Sequence, residues 1–514
     1  MLFRSIMIVS IYSATLRGLI AYQVVAEVDS TRGKPGLSII GLPEKAIEEA
    51  KERLSSALAN CGVRLKAKKT LVNLAPADLP KTGSHLELAL AVALWQLTNE
   101  KVYAAKDDIF FGELALDGSI RRVRGALPLV NFAKQSGFAR VFVPADNVGE
   151  VQVLTGIAIY PVKHLCQVLD FLAGKSKLAP LCPSTYQAQQ VNCPSDFAQI
   201  IGQAAAKRCL EIAAAGGHNL LLTGVPGAGK SLLASALSGI LPPLTRQEAL
   251  ELTTIYSVSG MLMENQLIKL RPCRSPHHSI SAIGLVGGGQ KLLPGEISLA
   301  HQGILFLDEL GEFRRDSLEM LRQPLETGNI TIVRSAGRVV YPARFTLVAA
   351  TNPCPCGFYG SKKKECTCSP QAIKRYRQKL SGPILDRLDL QIFVPEVEVV
   401  QLTAPHLPAE SSLQIRKRVV RARLRQAKRY QELGVLTNAA LTSAQIRTHL
   451  RLSGAAKNLL AKAAAKFCLS ARSYFKIIKV AQTIADLQET PSTLIQTTHL
   501  AEALSYRRES FGRV

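Results

Sequence analysis

Asn219-Leu220-Leu221-Leu222-Thr223-Gly224-Val225-Pro226-Gly227-Ala228-Gly229-Lys230-Ser231 is a short apolar run that ends in a glycine-rich loop. Asn219 to Thr223 has the unbroken apolar character of a strand buried on both faces of a parallel sheet. Gly224 to Ser231 then follows the spacing G-x-x-x-x-G-K-S between that strand and the start of a helix, the setting in which this motif binds phosphate. The glycines let backbone N–H groups approach phosphate oxygens as the loop passes through Val225, Pro226, Gly227, Ala228 and Gly229. The helix N-terminus adds a favourable dipole. Lys230 is expected to reach the β- and γ-phosphates and Ser231 to ligate Mg2+. ATP and Mg2+ are therefore the expected cofactors.

Working outward, Gly303 to Leu307 repeats the buried-strand pattern and ends in Asp308 and Glu309. An acidic pair at the carboxyl end of a parallel strand is well placed beside the loop. Asp308 is expected to hold Mg2+ through water and Glu309 to orient or deprotonate the attacking water; the competing reading is a helix cap. Phe345 to Ala350 is a third strand, and Asn352 follows it. Its amide can position the hydrolytic water, or it is a plain turn residue before Pro353. Arg387, in Gly382-Pro383-Ile384-Leu385-Asp386-Arg387-Leu388-Asp389, can pair its fork with phosphate oxygens across a subunit boundary. Arg472 can contribute in the same way. A structural ion pair is the alternative for each arginine.

At 514 residues the chain has room for about three to five domains. Hydrophobic types at 47% and charged types at 20% exclude wholesale disorder. The boundaries read as an α/β domain over 10–172, a linker over 173–197 rich in Pro, Ser, Gln and Lys, a parallel-sheet core over 198–404, and a helical domain over 405–514. Met1 to Ile11 is greasy but broken by Arg4, and reads as a first strand in preference to a secretory signal. No apolar run is long enough for a transmembrane helix, so no membrane partner is expected. Eleven cysteines, seven of them scattered singly, show no framework spacing, which points to a reducing, cytoplasmic setting.

Cys354, Cys356, Cys366 and Cys368 are the exception: C-x-C, nine residues, C-x-C. Four thiolates can make a tetrahedral structural zinc site, with Lys362, Lys363 and Lys364 offsetting their charge; four unligated thiols are the alternative. The chain carries a formal charge of +24, from 63 Lys and Arg against 39 Asp and Glu. Residues 361–514 hold 27 of the basic and 11 of the acidic residues. The densest run, Arg416, Lys417, Arg418, Arg421, Arg423, Arg425, Lys428 and Arg429, is either a DNA contact or a solvated helix linking subunits. Asn329 to Arg334 and Arg338 to Tyr341, around Ser335-Ala336-Gly337, read as a hairpin. Seventy-eight positions separate Lys230 from Asp308, so residues 275–295 are expected to form an inserted excursion that reverses at glycines 287–289.

These motifs resemble AAA+ ATPases of the magnesium-chelatase-like group and, within it, the YifB/ComM family. The likeness is carried by Ser275-Pro276-His277-His278, Leu285-Val286-Gly287-Gly288-Gly289, Pro294-Gly295-Glu296-Ile297-Ser298-Leu299-Ala300-His301, Leu307-Asp308-Glu309-Leu310, Leu321-Arg322-Gln323-Pro324-Leu325-Glu326 and Thr351-Asn352-Pro353-Cys354-Pro355-Cys356-Gly357. It implies a hexameric ATPase whose adjacent subunits share each nucleotide. Asn352 would be the first sensor, Arg387 the finger acting on the neighbour, and Arg472 the second sensor. It also implies that such hairpins point into the ring pore, where Arg334 and Arg338 could grip DNA phosphates without reading bases; a solvated hairpin is the alternative, and His277 and His278 are further candidates for the pore. ComM-type members are associated with branch migration of DNA in recombination during natural transformation, which brings in branched or single-stranded DNA and recombination proteins as partners. A protein remodeller and a magnesium chelatase motor subunit are the competing readings. Phe475-Lys476 departs from the usual His-Arg pair, and Lys476 could alter the Arg472 contact.

Residues 10–172 resemble the Lon-protease-like fold through Asn73-Leu74-Ala75-Pro76-Ala77-Asp78-Leu79-Pro80-Lys81 and Phe111-Gly112-Glu113-Leu114. A protease of that kind needs a serine and a lysine within reach. Here His85 occupies the nucleophile's place with Ser84 one position off, and Leu127 stands where the lysine would be. No peptidase activity is expected. Ser84 is read as capping the helix that starts near Leu86. Lys66, Lys68, Lys69, Arg121, Arg122 and Arg124 suit a docking surface.

Overall fold

The computed structural model describes residues 8–31, 33–65, 68–98, 103, 106–189, 195–262, 266–334, 337–361, 364–379, 382–397, 410–490 and 494–508. Met1 to Met7, Lys66, Ser335, Ala336, Lys362 and Lys363, all part of the reading above, lie outside the described residues. The chain divides into two compact units, Met1–Ala188 with Thr245–Ile268, and Gln189–Leu244 with Lys269–Val514. No helix of the described residues is long and apolar enough to cross a membrane.

In the first unit, β1 (Val9–Arg17), β2 (Ile20–Thr31), β3 (Gly36–Ile40), β4 (Lys69–Ala75), β5 (Asp108–Phe110), β6 (Arg140–Pro144) and β7 (Ala158–Val162) form a mixed sheet in the order β3-β4-β2-β1-β5-β6-β7. β1 and β2 are an antiparallel hairpin closed at Arg17↔Ile20, whereas β1, β5, β6 and β7 run parallel. The helix Glu87–Thr98 is apolar on all sides and buried from Glu87 to Gln96, as expected of a helix in the middle of a core. The helix Lys45–Asn60 buries Ile47, Ala50, Leu54, Ala57 and Leu58 along one face. Ser84 is not a cap: a short 3-10 turn, Ser84–Leu86, precedes the helix, and the Ser84 hydroxyl donates to Glu113.

Two features of this unit differ from the reading of the sequence. Cys61 and Cys166, counted among the scattered cysteines, are joined as a disulfide across 105 residues, tying the end of the helix Lys45–Asn60 to the helix Leu165–Leu172. Their spacing carried no sign of this, because the neighbourhood is tertiary. The helix Arg246–Ser259, inside the stretch assigned to the parallel-sheet core, groups with the first unit. It opens on a capping box formed by Thr245 and Glu248. Ser257 Oγ donates to Glu150 Oε2 at 2.5 Å, Arg246 to the Val153 carbonyl at 2.9 Å, and Arg122 to the Leu262 carbonyl at 3.3 Å.

The second unit is built on β8 (Leu220–Gly224), β9 (Cys273–Arg274), β10 (Ile304–Leu307), β13 (Thr346–Thr351) and β14 (Leu390–Val394), all parallel, in the order β9-β10-β13-β8-β14. Between β10 and β13 the chain makes the expected hairpin, β11 (Asn329–Arg334) with β12 (Gly337–Pro342), antiparallel with Arg334↔Gly337. The excursion after Ser275 contains the short helix Ala282–Val286 and a two-residue pairing of Gly287–Gly288 with Leu293–Pro294. The C-terminal region is helical, with Ser412–Arg429, Ser443–His449, Gly454–Phe467, Ala471–Leu487 and Thr497–Arg508. One apolar core runs from β8 and the helix Lys230–Ile240 into Val419, Ile477, Ile484 and Leu500 of these helices.

The basic run on Ser412–Arg429 is mostly internal. Arg416 donates to the Gly239 carbonyl, at the end of the helix Lys230–Ile240. Arg423 donates to the Ala214 carbonyl at 2.7 Å, near the end of the helix Ala204–Gly216. Arg425 takes the Asp486 and Gln488 carbonyls at 2.7 and 2.5 Å. Cations at helix C-termini meet unpaired carbonyls and the negative end of the dipole. Arg418 pairs with Glu211 and Glu410, and Arg429 with Asp486. Lys417, Arg421 and Lys428 face outward. The helix is therefore a set of clamps between the lid and the core, a reading that charge density could not separate from a solvated or DNA-facing helix.

Candidate active site

β8 ends at Gly224 and the helix starts at Lys230, so the loop hangs from the carboxyl edge of the sheet. Gly227 and Gly229 have φ of 79° and 87°, a left-handed turn that a side chain would strain. Lys230 Nζ donates to the Gly224 carbonyl at 2.7 Å, the Val225 carbonyl at 2.9 Å and Asn352 Oδ1 at 3.1 Å. Burial lowers the lysine's pKa, opposed by the nearby Asp308 and Glu309 carboxylates. Asn352 is brought there because β13 lies between β8 and β10. The neighbouring β10 delivers Asp308, whose Oδ2 accepts from Ser231 Oγ at 2.7 Å. A hydroxyl beside a carboxylate offers oxygen ligands of the kind a hard divalent cation takes, so Ser231 and Asp308 fit Mg2+. Glu309 leaves the strand with φ 51° and ψ 50°, while its N–H donates to Asp308 Oδ1 at 2.9 Å. That sharp turn sends the two carboxylates in different directions.

Arg387 and Arg472 are elsewhere. β14 pairs with β8 in parallel register, Leu220↔Leu390 through Gly224↔Val394. Arg387, three residues before Leu390, therefore sits at the amino edge of the sheet, and Asn219 Nδ2 meets its carbonyl at 3.4 Å. The phosphate loop leaves the opposite edge, a strand length of roughly 15 Å away. Both arginines bond one carboxylate oxygen, Glu326 Oε1, Arg387 at 2.5 Å and Arg472 at 2.7 Å. Lys476 turns away from Arg472. Its ammonium pairs with Asp389 at 3.1 Å. Burial works against ionisation of Asp389, but Lys476 and His218 hold its pKa well below the usual carboxylate range.

Compared with family models, the chain matches Magnesium chelatase, subunit ChlI, over residues 196–402, Subunit ChlI of Mg-chelatase over 26–147, and Magnesium chelatase, subunit ChlI C-terminal, over 409–507. It is similar to the Escherichia coli (strain K12) protein YifB, 43% identical with 97% of this chain and 96% of the relative covered. Its likeness to competence protein ComM of Haemophilus influenzae is 43% identity with 97% of each chain covered. The chain belongs to the YifB/ComM family of magnesium-chelatase-like AAA+ ATPases. A more distant likeness, 26% identity over 40% of this chain, is to the magnesium-chelatase 38 kDa subunit of Rhodobacter capsulatus, 59% of which is covered. The ChlI-type domains imply ATP binding and hydrolysis, and the parallel-strand core with a helical C-terminal region fits the AAA+ fold. The homology supports an ATP-driven motor of this broad family.

Three residues that the YifB/ComM site brings together were missed or misplaced in the sequence. His278 Nδ1 lies 3.5 Å from Glu309 Oε2. Its ring lies against that of His277, tilted by 35° with centroids 4.0 Å apart. Gln203 donates to the Pro395 carbonyl at 2.6 Å and to the Ala228 carbonyl of the loop at 3.4 Å. Glu326, quoted above only as part of a motif, holds both arginines. None of these contacts has a sequence spacing that could have announced it.

The four clustered cysteines stand directly behind Asn352. Cys354 Sγ is 3.4 Å from Cys356 Sγ and 3.6 Å from Cys366 Sγ, and Cys356 and Cys366 are also 3.6 Å apart. All four sulfurs lie within 4.8 Å of one another, a group that can hold a metal ion. Backbone N–H donation, chiefly from Phe358, brings the Cys356 thiol down to about 6. Gly357, inside this loop, has φ 84° and lies so close to Pro226 that a Cβ would stand 2.7 Å from its ring. The cysteine loop and the phosphate loop are therefore in direct contact.

Arg334 and Arg338 are exposed on the hairpin, as are Val333 and Val340. In the first unit, Leu127 is buried in a hydrophobic core. His85 is buried, its Nε2 2.8 Å from the Ala14 carbonyl, and burial depresses its pKa to about 4. Lys81 is buried and donates to the Pro76 carbonyl.

Proposed function

We propose that this chain is an ATP-hydrolysing motor that works as a ring of like protomers, hexameric by the family likeness, and acts on DNA. The observation that carries the reading is the separation of the site into two halves. Lys230, Ser231, Asp308, Glu309 and Asn352 converge at the carboxyl edge of the sheet, whereas Arg387 and Arg472 converge at the amino edge. A protomer cannot close both halves on one nucleotide, so each arginine pair serves a neighbour's γ-phosphate. Within a protomer, Lys230 exchanges its carbonyl partners for phosphate oxygens. Ser231 and Asp308 hold Mg2+, which neutralises phosphate charge. Asn352 orients the water, and Glu309 accepts its proton.

DNA is favoured as the substrate by Arg334 and Arg338, which stand exposed on the hairpin, and by the family's ComM branch, one of whose members is a competence protein. On this reading the motor moves branched DNA during recombination. ATP turnover measured with three- and four-way junctions, and in parallel with unfolded polypeptide, tests it. Junctions are expected to raise turnover, the rise is expected to fade with added salt, and Lys230→Ala is expected to abolish it. Stimulation by polypeptide alone would make the chain a protein remodeller instead.

The cysteine group is proposed to bind zinc. Sulfurs at tetrahedral positions about 2.3 Å from zinc lie just under 4 Å apart, and the separations of 3.4 and 3.6 Å suit that geometry. About one zinc per chain is expected in metal analysis of the purified protein. A content near zero in folded protein would reject the site.

A further inference from the structure

Arg387 and Arg472 come from elements 85 residues apart, the turn before β14 and the first turn of the helix Ala471–Leu487. Their guanidinium groups converge on a single oxygen, Glu326 Oε1, at 2.5 and 2.7 Å. Two cations that close repel one another, and the carboxylate between them is what makes the approach favourable. One carboxylate leaves the trio with a net positive charge. The exposed guanidinium of Arg472 carries five N–H donors, more than one carboxylate oxygen can use. The cluster opens to solvent: the Glu326 side chain is 46% exposed and that of Arg472 is 48% exposed, while Arg387 is braced behind them at 12%. The trio is thus a cationic pair gathered on one carboxylate, with Arg387 inside and Arg472 toward solvent.

We propose that Glu326 is a positioning residue that binds Arg387 and Arg472 into one unit, so that both meet the terminal phosphate of a nucleotide held by the neighbouring protomer. The inference rests on the shared-site reading above and adds to it the group that aims the arginines. Without the carboxylate the two arginines separate, and the lid helix no longer moves with the sheet edge. Glu326 also lies on the helix Arg322–Thr327, three residues before the first residue of β11. The hairpin that carries Arg334 and Arg338 therefore starts three residues after the residue that anchors the pair.

Mixing of full-length protomers tests this. Glu326→Gln keeps the shape and removes the charge. Alone, it is expected to turn over ATP between about 10- and 100-fold more slowly, the cost of a misplaced catalytic group, while binding a fluorescent ATP analogue within about twofold of wild type, because its own Lys230 loop is untouched. Mixed with Lys230→Ala protomers, whose loop is disabled but whose arginines are intact, it is expected to regain turnover above the sum of the two separate proteins. A purely structural role for Glu326 gives no such recovery. Arg387→Ala mixed with Lys230→Ala is the control for the shared site. Recovery there but not with Glu326→Gln overturns the inference and leaves the shared site standing, as does wild-type turnover by Glu326→Gln alone. No recovery in either mixture overturns the shared site and the inference with it. Should Glu326→Gln lose nucleotide binding, Glu326→Asp, with the charge on a shorter stem, enters the same mixtures and is judged by the same outcomes.

Discussion

Replacing Arg387 by alanine is expected to lower ATP turnover at least about a thousandfold, the range an arginine acting on a transferred phosphoryl group supplies. Nucleotide affinity should change little. Arg387 is anchored at the amino edge of the sheet beside Asn219, a strand's length from the loop that would grip the phosphates. The contrast between turnover and affinity is the informative part. An ion pair that only braces the surface is worth about 1 kcal/mol or less, and losing it would leave turnover near wild type with a slightly lower melting temperature. Steady-state turnover and equilibrium binding of a fluorescent ATP analogue on the same preparation decide between them. Turnover within a few-fold of wild type would remove Arg387 from the reaction.

Glu309→Gln should give the second large loss, about 10²- to 10⁴-fold in turnover, the usual worth of a general base. Here ATP should remain bound. Ser231 and Asp308 keep their 2.7 Å contact, and Lys230 is held by carbonyls and by Asn352, none of which involves Glu309. The variant should therefore accumulate unhydrolysed ATP, which a rapid quench with radiolabelled nucleotide would display. If instead bound nucleotide is recovered as ADP at the wild-type rate, the proton goes elsewhere. His278, 3.5 Å from the Glu309 carboxylate, would then be the group to examine.

What the sequence disclosed follows from how local each requirement is. The phosphate loop is legible because one turn of backbone must do the whole task, so its glycines, Lys230 and Ser231 have to be adjacent. Asp308 and Asn352 are legible because each ends an apolar run, and parallel strands deliver their carboxyl ends to one edge. Glu326 and His278 were illegible, since each acts through a contact with a distant segment. The arginines of Ser412–Arg429 show the other limit. Composition announces their charge but not whether the partner is a phosphate or the chain's own helix ends, and five of the six take internal carbonyls or carboxylates. Cys61 and Cys166 were hidden for the same reason, having no neighbours in sequence to suggest the pairing.

The excursion Thr245–Ile268 has a mechanical corollary. Because it groups with the first unit while the chain on both sides belongs to the second, the polypeptide passes between the units three times. A protease nick between Gln189 and Asp196 would sever residues 1–188 from the rest of the polypeptide, leaving them held only by their packing with Thr245–Ile268. The crossings at Leu244 and Lys269 lie between the Lys230 helix and Cys273, where the chain enters the sheet. The amino-terminal half is thus harnessed to the nucleotide-handling machinery by a double rein, and deleting it would strip the helix Arg246–Ser259 of its seat.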